Sequence, residues 1–139
     1  MSKEIVLFCA LPGSGKSFHA KRMLVEDGVY IDDICLHPNL DILKQAIKDN
    51  KKQIIITDPF LCRERERVAA AKQLVRLAPD YVVKWIFFEN NPEKCLNNIK
   101  NRVGEKAKVK ELIKQLSKEY IIPEGIIPVI IWQKPRNHI

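Results

Sequence analysis

The sequence has no long apolar stretch. No segment approaches the ~20 apolar residues that a membrane-spanning helix needs, and the apolar run at residues 5–10 is too short for a complete signal peptide. We therefore expect a cytoplasmic protein with no membrane partner.

The sequence lacks the cysteine pairs of a metal or redox centre. The four cysteines, Cys9, Cys35, Cys62 and Cys95, form no CxxC pair. No two histidines lie within ligand spacing of them. Zinc sites and dithiol redox motifs depend on such pairs. The spacing therefore indicates neither, and it fits reduced cytosolic thiols better.

Repeats and low-complexity segments are also missing. Hydrophobic residues make up 46% of the chain and charged residues 29%, which is the usage of an ordinary globular protein. A length of 139 residues corresponds to one domain. We therefore predict a single domain over residues 1–139, and the sequence does not indicate its oligomeric state.

Acidic residues are outnumbered, and the excess of basic residues is concentrated in one segment. The net charge is +7, and residues 93–118 contribute +5 of it. A concentrated positive field attracts substrates that carry phosphate. The alternative is an ordinary solvated helix face, and the sequence leaves both open.

Short apolar runs alternate with helical patterns along the chain. Runs without helical spacing predict strands buried on both faces at residues 5–10, 28–31, 54–56 and 81–88, with a last strand at 129–132. Helices are predicted at 17–25, 40–49 and 63–78, from residue 92 onward, and at 109–120, where the pattern is amphipathic and basic. The pattern predicts an α/β three-layer sandwich with a parallel sheet of about five strands.

The positions of several side chains in these elements predict whether they lie in the core or at the surface. Trp85 and Trp132 lie in apolar strands and are expected in the core. His19 and His37 are expected at the surface without a role. The alternating charges of residues 63–67 could contact an acidic substrate, but they are more typical of a solvated helix face.

Polar residues follow the predicted strands. Asp32 and Asp33 end the second strand, Thr57 and Asp58 follow the third, and Glu89 follows the fourth. Open parallel sheets bind ligands at the carboxyl ends of their strands. The sequence therefore predicts a functional site at this edge.

A glycine-containing loop joins the first strand to the first helix. Residues 10–17 read Ala-Leu-Pro-Gly-Ser-Gly-Lys-Ser, which matches the phosphate-loop pattern GxxxxGK followed by Ser or Thr except that Ala10 replaces the first glycine. Gly13 and Gly15 allow successive backbone N–H groups to converge on a phosphate, next to the positive end of a helix.

This loop predicts the binding of ATP or GTP together with Mg²⁺. Lys16 should reach the β- and γ-phosphates, and the hydroxyl of Ser17 should ligate the metal. The predicted nucleotide-binding residues are Leu11, Pro12, Gly13, Ser14, Gly15, Lys16, Ser17 and Phe18.

The acidic residues after the second and third strands complete the predicted site. Asp58 is predicted to hold the metal beside Ser17, with a turn-forming role before Pro59 as the alternative. Asp32, ahead of Asp33, is predicted to accept the proton of an attacking hydroxyl, although paired aspartates also cap helices and turns.

These residues resemble a known family. The phosphate loop, the Asp32-Asp33 pair, the sequence Ile54-Ile-Ile-Thr-Asp58 and a basic lid ending in Arg102 look like the kinase domain of bacteriophage polynucleotide 5′-hydroxyl kinases. The resemblance spans residues 3 to about 120. It implies a P-loop kinase fold with a basic helical lid at about residues 98–110.

The resemblance also implies roles for single residues. Lys16 and Ser17 would hold nucleotide and metal, Asp32 would be the general base, and Arg102 would neutralise charge on the transferred phosphoryl group. Without the resemblance, Arg102 could equally be a cation at a helix end. Two arginine positions of the family are occupied here by Cys35 and Asn98.

The sequence therefore predicts a phosphotransferase and leaves its acceptor open. The acceptor is expected to be the 5′ end of a nucleic acid, a nucleoside or a nucleotide. A kinase of small metabolites or nucleoside monophosphates is the alternative, and a nucleotide-binding protein without phosphotransfer is another. The arginine positions held by Cys35 and Asn98 motivate that last possibility.

Overall fold

A four-stranded parallel sheet forms the centre of the molecule. The computed structural model describes residues 2–33, 37–100 and 106–133, and the statements below concern those ranges. The strands are β1 (Glu4–Cys9), β2 (Gly28–Asp32), β3 (Gln53–Thr57) and β4 (Val82–Phe87), in the order β2-β3-β1-β4. All three pairings are parallel.

Helices alternate with the strands, as the sequence pattern predicts. They are α1 (Lys16–Met23), α2 (His37–Lys48), α3 (Glu64–Leu77), α4 (Pro92–Asn98) and α5 (Lys106–Glu119), with a short 3₁₀ helix at Pro59–Cys62. No helix in the described ranges is long and apolar enough to cross a membrane.

The two central strands are buried on both faces. Every residue of β3 is buried, and in β1 only the first residue is partly exposed. A strand can be buried in this way only when other layers cover both faces of the sheet. The predicted α/β fold with a parallel sheet is therefore confirmed.

The prediction of a fifth strand at residues 129–132 is wrong. Val129 forms only an isolated bridge with Phe88, through its N–H to the carbonyl of Phe87 and its carbonyl to the N–H of Glu89. The ladder does not continue because the N–H of Ile131 donates to the side-chain carboxylate of Glu89 at 3.0 Å. The same carboxylate forms an ion pair with Lys94. A side chain thus replaces the backbone acceptor that a continuing strand needs.

The carboxyl end of α5 is attached to the sheet by Tyr120. Its phenol oxygen lies 2.5 Å from the carbonyl oxygen of Phe88 and 3.0 Å from that of Cys9, at the ends of β4 and β1. Ile113 and Leu116 are buried on the inner face of α5. The predicted amphipathic helix is therefore confirmed, with Lys108, Lys110, Lys114 and Lys118 exposed.

Three side-chain predictions are wrong. Trp132 is 61% exposed, because its segment leaves the sheet. His19 is packed between the rings of Phe8 and Phe88 rather than lying free at the surface. Arg67, placed on a solvated helix face by its charge pattern, donates to the carbonyls of residues 61 and 62 and so anchors the 3₁₀ turn.

Candidate active site

The segment from Ala10 to Ser17 forms a tight loop between β1 and α1. Gly13 and Gly15 both have φ of 83°, a left-handed conformation that other residues rarely adopt. Gly15 is the N-terminal cap of α1, so the free N–H groups of the first turn point toward the loop. The predicted order of strand, loop and helix is therefore confirmed.

Gly13 is in contact with the C-terminal half of α4. A Cβ at this position would lie 2.6 Å from the carbonyl oxygen of Cys95 and 2.9 Å from Ile99 Cγ2, whereas a Cβ at Gly15 would meet no described atom within 4 Å. The loop is therefore held against α4 at one glycine and open at the other.

Alanine substitutions should separate these two glycines. Gly15→Ala should lower the free energy of unfolding by about 1–2 kcal/mol, the cost of the left-handed backbone alone. Gly13→Ala should lower it by about 3 kcal/mol or more, because backbone of α4 must also move. Urea denaturation without nucleotide measures both values. Equal losses would contradict the contact between loop and α4.

Asn98 fastens the loop to α4 and to the C-terminal segment. Its Nδ2 donates to the carbonyl oxygens of Gly13 at 3.0 Å and Trp132 at 2.7 Å, and the residue is 8% exposed. A buried amide with two backbone acceptors is a structural group. The asparagine at this arginine position of the resembled family thus has a packing role in this chain.

Lys16 interacts electrostatically with the acidic residues that follow β2 and β3. Burial lowers the pKa of Lys16, and the nearby carboxylates of Asp32, Asp33 and Asp58 oppose that shift, together with Cys62. These groups are therefore close enough to interact electrostatically at one edge of the sheet. This juxtaposition is the one expected from the carboxyl ends of parallel strands.

The lowered pKa of Lys16 predicts the pH dependence of nucleotide binding. Because burial favours the neutral amine, the ammonium is lost at lower pH than in an exposed lysine. Affinity for Mg·ATP should therefore fall as pH rises through that lowered pKa, and binding there should take up protons, because phosphate favours the charged form. Calorimetry in buffers of different ionisation enthalpy, at alkaline pH below the ordinary pKa of lysine, measures the uptake.

The outcome can be separated from general alkaline damage to the protein. Lys16→Arg keeps its charge throughout this range and should show no uptake. An affinity that is independent of pH in the unsubstituted chain would contradict the assignment of Lys16 as the phosphate-binding cation.

A line of side-chain oxygens crosses the site from the loop to the end of β2. Ser17 Oγ lies 3.0 Å from Tyr30 Oη, and Tyr30 Oη lies 3.0 Å from Thr57 Oγ1. Thr57 Oγ1 donates to Asp32 Oδ1 at 2.7 Å. Sequence reasoning missed the roles of Tyr30 and Thr57 in this line. Only the register, in which Asp32 is paired with Thr57, could have indicated the contact.

Asp33 differs from Asp32 in conformation and environment. It has φ of 47°, and its N–H lies 2.8 Å from the carbonyl of Thr57 and 2.9 Å from Asp32 Oδ1. Burial and the carboxylates of Asp32 and Asp58 raise the pKa of Asp33. Asp32 is more exposed than Asp33. Its Oδ1 accepts two hydrogen bonds, one from the backbone N–H of Asp33 and one from the hydroxyl of Thr57.

Asp58 follows β3 and is 1% exposed. Its Oδ1 accepts the N–H of Phe60 at 2.8 Å and caps the 3₁₀ helix, which is the turn-forming role named as the alternative. A carboxylate has several acceptor sites, so this cap does not by itself exclude the predicted metal role of Asp58.

The donor set suits Mg²⁺ brought in by a nucleotide. Ser17 and Asp58 offer hard oxygen atoms, while the described ranges contain no group of three or more His, Cys, Asp or Glu that could hold a metal ion alone. Magnesium in phosphate sites is usually held by one or two protein oxygens together with substrate phosphates and water. The residues therefore fit a nucleotide-bound ion better than a resident one.

A cavity of about 570 Å³ opens beside the phosphate loop. Its wall includes the loop residues 13–15, the exposed ring of Phe18, Arg22, Asn98 and the C-terminal segment around Trp132. Ser14 belongs to that loop, and its buried Oγ has no hydrogen-bond partner among the described residues. A cavity with aromatic walls and a few polar groups is suited to binding a small ligand.

The remaining predicted residues fall outside the described part of the chain. Arg102 and Cys35 are not described, and neither are residues 101–105 of the predicted lid. The catalytic role of Arg102 therefore stays a prediction.

The chain is similar to known proteins chiefly in its fold. No known protein-family model matches it. An uncharacterized protein of Acanthamoeba polyphaga mimivirus is 27% identical over 134 residues, which cover 88% of this chain and 89% of that protein. A solved gluconokinase structure from Sinorhizobium meliloti is similar with a TM-score of 0.53 and 16% identity, covering 92% of this chain and 81% of the gluconokinase.

At this level of identity, the structural likeness shows the fold. The chain has the α/β fold of a P-loop kinase, with a parallel sheet and flanking helices. The P-loop kinase fold that the sequence resemblance implied is therefore confirmed.

Proposed function

We propose that this chain is a P-loop phosphotransferase that moves the γ-phosphate of ATP or GTP to a hydroxyl group of an acceptor. The observation that carries the proposal is the juxtaposition of Lys16, Ser17 and three aspartates at the carboxyl edge of the sheet. The P-loop kinase fold supports it. The curated relative carries no functional description that could support or oppose it.

The phosphate loop would bind the donor. Its backbone N–H groups and the first turn of α1 enclose the phosphates, and Lys16 donates to the β- and γ-phosphates. Ser17 and Asp58 would hold Mg²⁺, which when bound neutralises charge on the phosphates. The nucleoside would occupy the cavity beside Phe18 and Trp132.

Asp32 would act on the acceptor. It takes the proton of the acceptor hydroxyl as that oxygen bonds to the γ-phosphorus and the bond to the bridging oxygen breaks, which leaves the nucleoside diphosphate. Thr57 and the N–H of Asp33 both hold Asp32 Oδ1, so Oδ2 is the oxygen available for this proton. Positioning and charge neutralisation, rather than covalent catalysis, would supply the rate. Arg102 would add a positive charge at the transferred group.

The 5′ end of a nucleic acid is the acceptor class that we favour. Exposed lysines lie along α5 and would attract a polyanion: Lys108, Lys110, Lys114 and Lys118. The family resemblance of the phosphate loop and the Asp32-Asp33 pair points the same way. A small hydroxyl-bearing metabolite is the alternative acceptor. The similar solved structure, a gluconokinase, favours this alternative.

A panel of acceptors tests the proposal. The chain is incubated with γ-labelled ATP or GTP, Mg²⁺ and one acceptor each: 5′-hydroxyl oligonucleotides of two lengths, nucleosides, nucleoside monophosphates or gluconate. We expect label on the oligonucleotides, with the longer one preferred. Transfer to a small molecule without any effect of oligonucleotide length would favour the alternative acceptor class.

Two negative results can be told apart in this panel. Nucleotide binding without transfer to any acceptor would contradict phosphotransfer and favour a nucleotide-binding protein. Absence of nucleotide binding would contradict the whole proposal.

A further inference from the structure

The line of oxygens from Ser17 to Asp32 has a fixed direction. An ionised carboxylate has no proton, so Thr57 must be the donor in its 2.7 Å bond to Asp32 Oδ1. Thr57 has a single hydroxyl proton, so it can only accept from Tyr30. Tyr30 has then used its own proton, and its oxygen can only accept from Ser17.

Burial makes this direction difficult to reverse. Thr57 is 0% exposed, so water cannot replace either of its partners without opening the space between β2, β3 and α1. A buried hydroxyl that loses a partner costs stability, and its proton therefore stays on the bond to Asp32.

We infer that Tyr30 and Thr57 are positioning residues that orient the Ser17 hydroxyl for the metal ion, an inference that rests on the proposed function. Because Ser17 directs its proton toward Tyr30, the lone pairs of Ser17 Oγ are left for a cation at the phosphates. The same line ends on Asp32, so the metal ligand and the base are joined through the hydroxyl groups of Tyr30 and Thr57.

The geometry of the strands explains how the line forms. Tyr30 and Asp32 are two positions apart on β2 and therefore share one face of the sheet, and Thr57 is the register partner of Asp32 on the neighbouring strand. A tyrosine is long enough to carry its hydroxyl from the sheet to the first turn of α1, where Ser17 lies.

Magnesium-dependent nucleotide affinity tests the inference. The affinity for ATP is measured by calorimetry with Mg²⁺ and with EDTA, and the ratio of the two dissociation constants is the gain due to the metal. Tyr30→Phe keeps the ring and removes the hydroxyl. It should reduce this gain about tenfold, the size expected for one hydrogen bond, and leave the metal-free affinity within about twofold of its original value.

Tyr81→Phe is the matched control. The Tyr81 hydroxyl donates to the carbonyl of Lys51 at 2.8 Å, at the opposite edge of the sheet, and its loss should leave the gain unchanged. An unchanged gain in Tyr30→Phe, or an equal loss of affinity with and without Mg²⁺, would overturn the inference.

A second pair of variants keeps the test decisive if Tyr30→Phe is unstable. Thr57→Ser retains the hydroxyl and should keep the gain, whereas Thr57→Val retains the shape and should lose it to the same extent as Tyr30→Phe. Equal gains in the two Thr57 variants would overturn the inference. If the unsubstituted chain binds no nucleotide, the proposed function itself fails. If it binds nucleotide and the variants keep the full gain due to Mg²⁺, only this inference fails.

Discussion

Asp32→Asn should lower turnover by at least about 10²-fold while Mg·ATP still binds, because a positioned general base contributes about 10²–10⁴ to the rate. The substitution keeps an oxygen that can accept from Thr57, so the hydroxyl line to Ser17 can persist. Only the capacity to take a proton is removed. Steady-state kinetics on the best acceptor of the panel and calorimetry with Mg·ATP measure the two effects.

Asp33→Asn is the matched control for this prediction. Asparagine tolerates the positive φ of this position, and the N–H that reaches Asp32 is unchanged. We expect a smaller loss of turnover than in Asp32→Asn. The assignment of the base would be refuted if Asp33→Asn were the more damaging variant, or if Asp32→Asn lost binding and turnover equally.

Lys16→Met should weaken Mg·ATP binding by at least about 100-fold. Hydrogen bonds to charged groups are worth about 1.5–3 kcal/mol, and Lys16 would make such bonds to the phosphates from a partly buried position. Its removal also leaves the carboxylates of Asp32, Asp33 and Asp58 without their cation, so they would repel the triphosphate. Turnover should fall with the binding.

Lys21→Met gives the corresponding control on the same helix. Lys21 is exposed in the last turn of α1, and its loss should change the affinity by less than about threefold, as expected of an exposed charge. Thermal unfolding of both variants confirms that α1 is intact. Comparable affinities in Lys16→Met and the unsubstituted chain would contradict a phosphate-binding role for the loop.

The phosphate loop and the sheet could be predicted from the sequence because their signals are local. A buried strand is a short apolar run, and the loop needs two glycines at fixed spacing before Lys16 and Ser17. The strand ends carrying Asp32 and Asp58 follow from the same runs. In each of these cases the segment itself contains the information.

The remainder of the site depends on contacts between distant segments. The line through Tyr30 and Thr57 requires the register of β2 with β3, which no single segment determines. Asn98 acquires its role only when α4 is packed against Gly13. Patterns along the chain could not have shown either contact.

The missing fifth strand has the same cause. Residues 129–132 have the apolar composition of a strand, but the carboxylate of Glu89 binds the N–H of Ile131 and ends the ladder after Val129. The side chain of Trp132 is then left at the cavity beside the loop instead of in the core. One tertiary hydrogen bond thus changes a predicted core residue into a wall of the candidate site.

The shared fold leaves the acceptor to be determined from the site. A P-loop kinase fold serves many acceptors, and at 16% identity the gluconokinase and this chain have few side chains in common. The features of this chain that bear on the acceptor are the hydroxyl line ending on Asp32 and the exposed lysines of α5.

A crystal structure with Mg²⁺ and a non-hydrolysable ATP analogue tests the central claim most directly. We expect the β- and γ-phosphates to lie within hydrogen-bonding distance of the backbone N–H groups of residues 13–17 and of Lys16 Nζ, with the metal on Ser17 Oγ. Phosphates bound elsewhere, or a loop that stays empty at saturating analogue, would contradict the account.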